Sequence, residues 1–220
     1  MSRLSAALRG IVRQFKPETR REVARITRLP IDVLPKPTSW WAADARLLLE
    51  IARAIRSRRP ALVVDIGSGS TTLVAAACCK RFKSGRVIAF DHETGYAEAT
   101  RRALAANGLE DFATVVHAPL TGVEFPGGRG QWYDPAAFAA VTRPIDLLVV
   151  DGPPGSTGPQ ARYPVAPFLF DRLADDALIF LDDARRRDEQ QILARFAREY
   201  PMFRQTPLET GKGAVMLSRA

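Results

Sequence analysis

Two hydrophobic periods divide the chain. Leu4, Leu8, Ile11, Val12 and Phe15 recur at helical spacing, with Arg3, Arg9, Arg13 and Lys16 mostly elsewhere on the wheel. This pattern predicts an amphipathic helix ended by Pro17, and a second helical stretch is predicted over 19–28. Residues 29–38, with Pro30, Pro35 and Pro37, read as a connector. Over 41–58, Leu47, Leu48, Ile51, Ala52 and Ile55 share one helical face. From Ala61 onward the pattern changes. Short apolar, β-branched runs at 61–66, 86–91, 112–117, 145–151 and 177–182 are strand candidates. Helical stretches are predicted at 71–81, 96–107 and 184–200. The segments 203–207 and 214–218 flank a turn-like 209–213 and suggest a closing hairpin.

Strands separated by helices require right-handed crossovers, hence a parallel sheet with helices on both faces. Near-continuous apolar strands agree, because such strands are buried on both sides. The expectation is a doubly wound α/β domain over 39–220, preceded by a basic helical segment and Pro-rich connector over 1–38. Among open sheets of this kind, ligands bind outside the carboxyl ends of the strands.

Composition narrows the class. With 46% hydrophobic and 25% charged residues, a chain of 220 can bury a core without metals or disulfides. No run of eighteen apolar residues exists, and the start lacks an apolar signal core, so a cytoplasmic protein is expected. The two cysteines, Cys78 and Cys79, are neighbours that would close a disulfide only with strain, so buried reduced thiols are expected. Of the net +8, the first thirty residues hold an excess of six, from eight basic and two acidic side chains. Such a segment would suit an anionic membrane, a second copy of the chain or nucleic acid. Its plainer reading is a solvated helix face. Phe15 is its only aromatic residue, which disfavours single-strand nucleic-acid binding.

The candidate chemistry collects at predicted strand ends. The first strand ends in Asp65 and a glycine loop, the second in Asp91 and His92, and the third in His117. The fourth ends in Asp151 and the fifth in Asp182 and Asp183. Helix capping would account for one or two of these, not for a whole rim. In the loop Asp65-Ile66-Gly67-Ser68-Gly69-Ser70, glycines allow close backbone approach and the helix start presents free N–H groups. Asp91 closes the next strand, where a carboxylate would accept hydrogen bonds from a ribose diol. A dinucleotide fingerprint requires a third small residue where Thr72 stands, which disfavours a dehydrogenase.

The segments VVDIGSGSTTL, AFDHE, VVHAPL, LLVVDGPPG with ARYP after it, and IFLDDARR occur in an order that resembles class I S-adenosylmethionine-dependent methyltransferases. The likeness runs from about Trp40 to the C-terminus. It is similar, more narrowly, to a bacterial group with DGPPG and a DD pair. It implies a Rossmann-like, mostly parallel seven-stranded sheet with an antiparallel C-terminal strand. It further implies that Gly67, Ser68, Gly69 and Ser70 approach the methionine part of S-adenosylmethionine. Asp65 would orient the loop or hold the cofactor's amino group. Asp91 would bind the ribose, His92 would flank the adenine or ribose, and Ala118 would lie by the adenine. Thr71 stands where the family often has a further glycine.

Methyl transfer requires alignment of donor and acceptor and, for a hydroxyl, removal of a proton. Asp151, Asp182 and His117 are the candidate catalytic groups. Asp151, Asp182 and Asp183 would also suit a hard divalent ion such as Mg²⁺, as similar acids do in catechol-type O-methyltransferases. That family, however, has asparagine at the place of Asp183 and lysine after Asp151, where GPPG stands here. Without a metal, Asp183 would cap the following helix, Asp151 would contact cofactor or backbone, and Arg185, Arg186 and Arg187 would neutralise the acids. Trp132 and Tyr133 in the insert 127–135, with Arg162 and Tyr163, are candidates for holding a small-molecule acceptor. Packing under a loop is the alternative for Trp132 and Tyr133, and a structural hydrogen bond for His117. Trp40 and Trp41 would cover the cofactor side or anchor the connector. The leading expectation is O-methylation of a small molecule bearing a sugar, aryl or similar hydroxyl. A nucleic-acid or protein methyltransferase and a noncatalytic adaptor are the alternatives.

Overall fold

The computed structural model describes residues 17–35 and 43–220. The predicted first helix, Trp40 and Trp41 lie outside them.

Burial along the strands organises the molecule. β1 (Leu62–Ile66), β2 (Arg86–Asp91), β6 (Ile145–Val150) and the second half of β7 (Leu173–Asp182) are buried almost throughout. Successive side chains point to opposite faces. Val63, Val87, Leu147 and Phe180 pack under α1 (Pro17–Thr27), α2 (Ala45–Arg58), α3 (Ser70–Phe82) and α4 (Thr94–Ala106). Val64, Phe90, Leu148 and Ile179 join a second cluster with Ile192 and Phe196 of α6 (Arg187–Glu199). Two covered faces explain the absence of polar alternation in these strands.

The sheet has seven strands in the order β3-β2-β1-β6-β7-β9-β8, where β3 is Ala113–His117, β8 Phe203–Leu208 and β9 Ala214–Arg219. β1, β2, β3, β6 and β7 run parallel. β9 is antiparallel to both of its neighbours, as expected of the closing hairpin. The strand order reverses between β1 and β6, and there the loops part to leave a crevice.

Three features depart from the pattern read along the chain. The insert forms its own hairpin, β4 (Leu120–Phe125) with β5 (Gly128–Tyr133), turned at Pro126 and Gly127, whose φ is 82°. The short helix α5 (Val165–Leu169) follows the DGPPG segment. α6 starts at Arg187 rather than 184 because Asp183 is left-handed, with φ 61°. The next two N–H groups, of Ala184 and Arg185, donate to the carbonyls of Gly213 and Lys212. They are committed to the hairpin turn and cannot open a helix.

α2 begins at Ala45 because the Asp44 carboxylate caps it, accepting from the Arg46 N–H at 2.7 Å. The other Asp44 oxygen accepts from the Gly211 N–H at 2.9 Å, tying this helix to the closing hairpin. Val23, Ile26, Leu29 and Leu34 enter the first cluster, so this part of the basic segment packs on the domain. Cys78 and Cys79 are free and buried in α3, and burial pushes their thiols up to about 12 and about 11. Among the described residues no helix is long and apolar enough to cross a membrane.

Candidate active site

A cleft of about 320 Å³ opens at the carboxyl ends of β1, β2 and β6. Gly67, Ser68, Asp91, His92, Tyr133, Asp151, Arg162 and Asp183 line it, together with Tyr96, Arg186 and Lys212. A larger groove of about 570 Å³ between the β4–β5 hairpin and residues 157–161 has only Glu124 and Arg129 as charged lining. These two are cross-strand neighbours, and none of the rim acids reaches that groove.

The glycine loop is braced from below. One Asp65 oxygen accepts from the Thr71 and Thr72 hydroxyls, both at 2.7 Å. The threonines that depart from a glycine-rich pattern therefore clamp the loop through Asp65. Burial, opposed by these two hydroxyls, pushes the Asp65 carboxyl up to about 8. Asp65 is buried and does not line the cleft, so its contacts are those of a loop-orienting group. Gly67, at φ 105°, lies against the end of β6, and a Cβ there would meet Asp151 C and Gly152 N at 3.3 Å. Only glycine combines that backbone with that approach.

From β2, Asp91 holds the same loop. Its Oδ2 accepts from the Ser68 N–H at 3.0 Å and the Ser68 hydroxyl at 2.6 Å, and its Oδ1 from the Glu93 N–H at 3.0 Å. A carboxylate has about four acceptor positions, so capacity remains on the cleft side. His92 lines the cleft beside it.

Across the cleft, Arg162 gathers the remaining acids. Its guanidinium donates to the backbone carbonyls of Asp151 at 2.9 Å and Asp182 at 3.0 Å, and to Asp183 Oδ2 at 2.8 Å. Asp151 Oδ1 lies 3.3 Å from Arg162 Nη2, and Glu189 Oε1 3.8 Å from its Nε. Arg186 also meets Asp183 Oδ2, at 3.0 Å. Burial pushes the Asp151 carboxyl up to about 6, held back chiefly by Arg162. Its side chain keeps 21% exposure, toward the cleft. Asp182 is 0% exposed, and burial with Asp151 and Asp183 nearby pushes its carboxyl well up. Neither of its oxygens has a hydrogen-bond partner among the described residues.

The structure thus brings together Gly67, Ser68, Asp91, His92, Tyr133, Asp151, Arg162 and Asp183 of the residues singled out in the sequence. Gly69 and Ser70 open α3 behind the lining, and Ala118 is buried, donating its N–H to the Asp91 carbonyl. His117 stands outside the lining, its Nε2 3.2 Å from both the Thr94 hydroxyl and the His92 carbonyl oxygen. Trp132 is 0% exposed and stacks with Phe138 and Phe168, in the packing arrangement rather than on the cleft wall. Tyr163 is likewise buried and donates to Glu199 at 2.6 Å. Tyr133 alone of these aromatics reaches the cleft. A Cβ at position 152 would lie 2.2 Å from its hydroxyl, so the glycine of DGPPG admits it. Asp183 does not cap α6, whose N-cap is Arg186. Arg186 pairs with Asp183 as expected of the arginine run, whereas Arg185 donates to the Gly211 carbonyl.

Tyr96, Lys212 and Ser156 line the cleft without having been singled out in the sequence. Tyr96 sits in the first turn of α4, four residues past His92 of the predicted strand-end cluster, and that proximity was the available signal. Lys212 arrives through the pairing of β9 with β7, for which no local pattern exists.

The model of a methyltransferase-domain family matches residues 64–184, more than half of the chain. No curated protein matches it. Among solved structures, a methyltransferase from Geobacter sulfurreducens is similar at 24% identity and a TM-score of 0.57, over 100% of this chain and 97% of that one. The SAH-bound methyltransferase PaMTH1 of Podospora anserina has 15% identity and a TM-score of 0.62, over 100% and 97%. An O-methyltransferase from Bacillus cereus, in complex with SAH, has 16% identity and a TM-score of 0.62, over 94% and 92%. At these identities the likeness is one of fold. The matched span runs from β1 through the glycine loop and DGPPG to the paired aspartates, and the chain belongs to the methyltransferase-domain family, with the fold of its S-adenosylmethionine-dependent class.

Proposed function

We propose that the protein transfers a methyl group from S-adenosylmethionine to a hydroxyl of a small molecule. The observation that carries this reading is a single cleft with Asp91 and the glycine loop on one wall and the Asp151 carboxylate on the other. The donor fits the first wall. Gly67 is half-buried and lines the cleft, and Asp91 retains acceptor capacity after bracing Ser68. Asp91 would take the ribose hydroxyls, His92 and Tyr96 would flank the adenosine, and Gly67 and Ser68 would adjoin the methionine portion. The bound cofactor supplies an electrophilic methyl group on a sulfonium.

The chain's own part is alignment and proton removal. Asp151 is the one candidate base that both lines the cleft and keeps exposure, and a carboxyl near 6 is ionised at neutral pH. It would accept the proton of the acceptor hydroxyl while Arg162 fixes its orientation. Asp182 is sealed beneath the wall and His117 stands outside it, so neither touches an acceptor placed there. Tyr133 would orient that acceptor. The similar folds that carry SAH, one of them an O-methyltransferase, support the choice of donor and of oxygen as the receiving atom.

Calorimetric titration with S-adenosylmethionine, with NAD as control, tests the reading. Micromolar binding of S-adenosylmethionine that Asp91→Ala removes is expected. Binding of NAD in its place would overturn it.

A further inference from the structure

Three carboxylates, of Asp151, Asp182 and Asp183, each place an oxygen within 4.8 Å of the others, a spacing that a divalent cation would bridge. Part of the coordination such an ion needs is already committed, while both Asp182 oxygens and Asp183 Oδ1 have no hydrogen-bond partner among the described residues. Arg162, itself buried, reaches the side chains of Asp151 and Asp183 with one nitrogen, at 3.3 and 2.8 Å. The same guanidinium is anchored on the main-chain carbonyls at both strand ends, Asp151 and Asp182. Arg186 shares the Asp183 oxygen at 3.0 Å. An ion at about 2.1 Å from one oxygen of each acid would have to take Asp183 through its second oxygen or displace both arginines, and in either case would stand against the fixed positive charge of Arg162. The guanidinium cannot leave cheaply, because a planar donor bonded to two strand ends is part of the sheet's rim. It is this fixed guanidinium charge among the acids, not a shortage of free oxygens, that opposes a metal while Arg162 is in place.

We propose that Arg162 is the permanent counter-ion of this acid cluster, in the position a divalent cation would otherwise take, and that the cleft works without a metal. Arg162 is then a positioning residue that aims the Asp151 carboxylate. For the acceptor this matters if the methyl-transfer reading holds. A cleft with no ion has no need of two adjacent hydroxyls to chelate it, and a single hydroxyl facing Asp151 suffices.

The test is titration of the full chain with Mn²⁺, following free Mn²⁺ by electron paramagnetic resonance, with S-adenosylmethionine binding measured in parallel in EDTA and in Mg²⁺. The wild type is expected to show no stoichiometric Mn²⁺ site and equal cofactor binding in both buffers. Folded Arg162→Met is expected to bind Mn²⁺ on the order of tenfold or more tightly than wild type, with a melting temperature raised by the ion. A micromolar Mn²⁺ site in wild type that Asp183→Asn removes would overturn the proposal, as would a folded Arg162→Met with no gain. Should that variant not fold, the wild-type titration decides alone. Wild type that binds neither Mn²⁺ nor S-adenosylmethionine breaks the methyl-donor reading and leaves the counter-ion standing, while binding of both does the reverse.

Discussion

The two walls of the cleft dehydrate carboxylates by opposite means. On the β1–β2 side, Asp65 and Asp91 are held by hydroxyls and main-chain N–H groups, the hydrogen bonds of the described residues bringing no guanidinium to either. On the β6–β7 side, Asp151 and Asp183 are held by guanidinium groups. Neutral donors orient an acid without cancelling its charge. The more deeply buried Asp65 consequently moves up to about 8, whereas Asp151, with Arg162 beside it, stays at about 6. The first wall thus leaves acceptor capacity for a ligand rich in hydroxyls. The second sets guanidinium groups against its acids and offers one aimed carboxylate.

Removing the charge from the second wall tests the contrast most severely. Arg162→Met leaves buried acids without their partner and is expected to cost about 3–5 kcal/mol of stability, read by urea unfolding at neutral pH. A loss below about 1 kcal/mol, the range of a surface ion pair, would mean that Arg186 and Lys212 suffice. On the first wall, Asp91→Ala removes charge-assisted bonds that contribute about 1.5–3 kcal/mol each. It should weaken S-adenosylmethionine binding at least about a hundredfold while the circular dichroism of the fold persists. Unchanged titration curves would reject the ribose assignment.

Smaller changes sharpen the comparison. Thr72→Val deletes one of two hydroxyls on Asp65 and should cost about 1–2 kcal/mol, with Thr71→Val similar and the pair less than additive if the carboxyl is neutral. The gentlest probe is pH. Between the ordinary aspartate value of 3.8 and about 8, folded Asp65 keeps a proton that the unfolded chain releases. The folded state binds more protons in that window, so this group's contribution to stability falls as pH rises through it. Asp65→Asn should flatten the decline in melting temperature between roughly pH 5 and 8. An unaltered slope would show that Asp65 is ionised throughout.

Much of this architecture was legible along the chain. Five apolar runs became five parallel strands, and each strand-end acid or imidazole did reach the same rim. The glycine loop and Asp91 were legible because their geometry is local to one β-α-β unit. The acceptor side was not. Trp132 and Tyr133 are adjacent in a strand and so point to opposite sides, one into an aromatic stack and one to the cleft. Gly122, Gly128 and Gly130 interrupt the alternation that would have announced their hairpin.

Hydrophobic period and turn residues by themselves determined the strands, their burial on both faces, the crossovers and the glycine loop, since these follow from side-chain pattern within a few residues of backbone. The tertiary structure alone decided what each acid meets. Arg162 lies 11 and 21 residues from the aspartates it holds, and Lys212 reaches the cleft only because β9 pairs with β7. Charge compensation in a buried cluster depends on separations in space, and a sequence prescribes those only through the whole packed sheet.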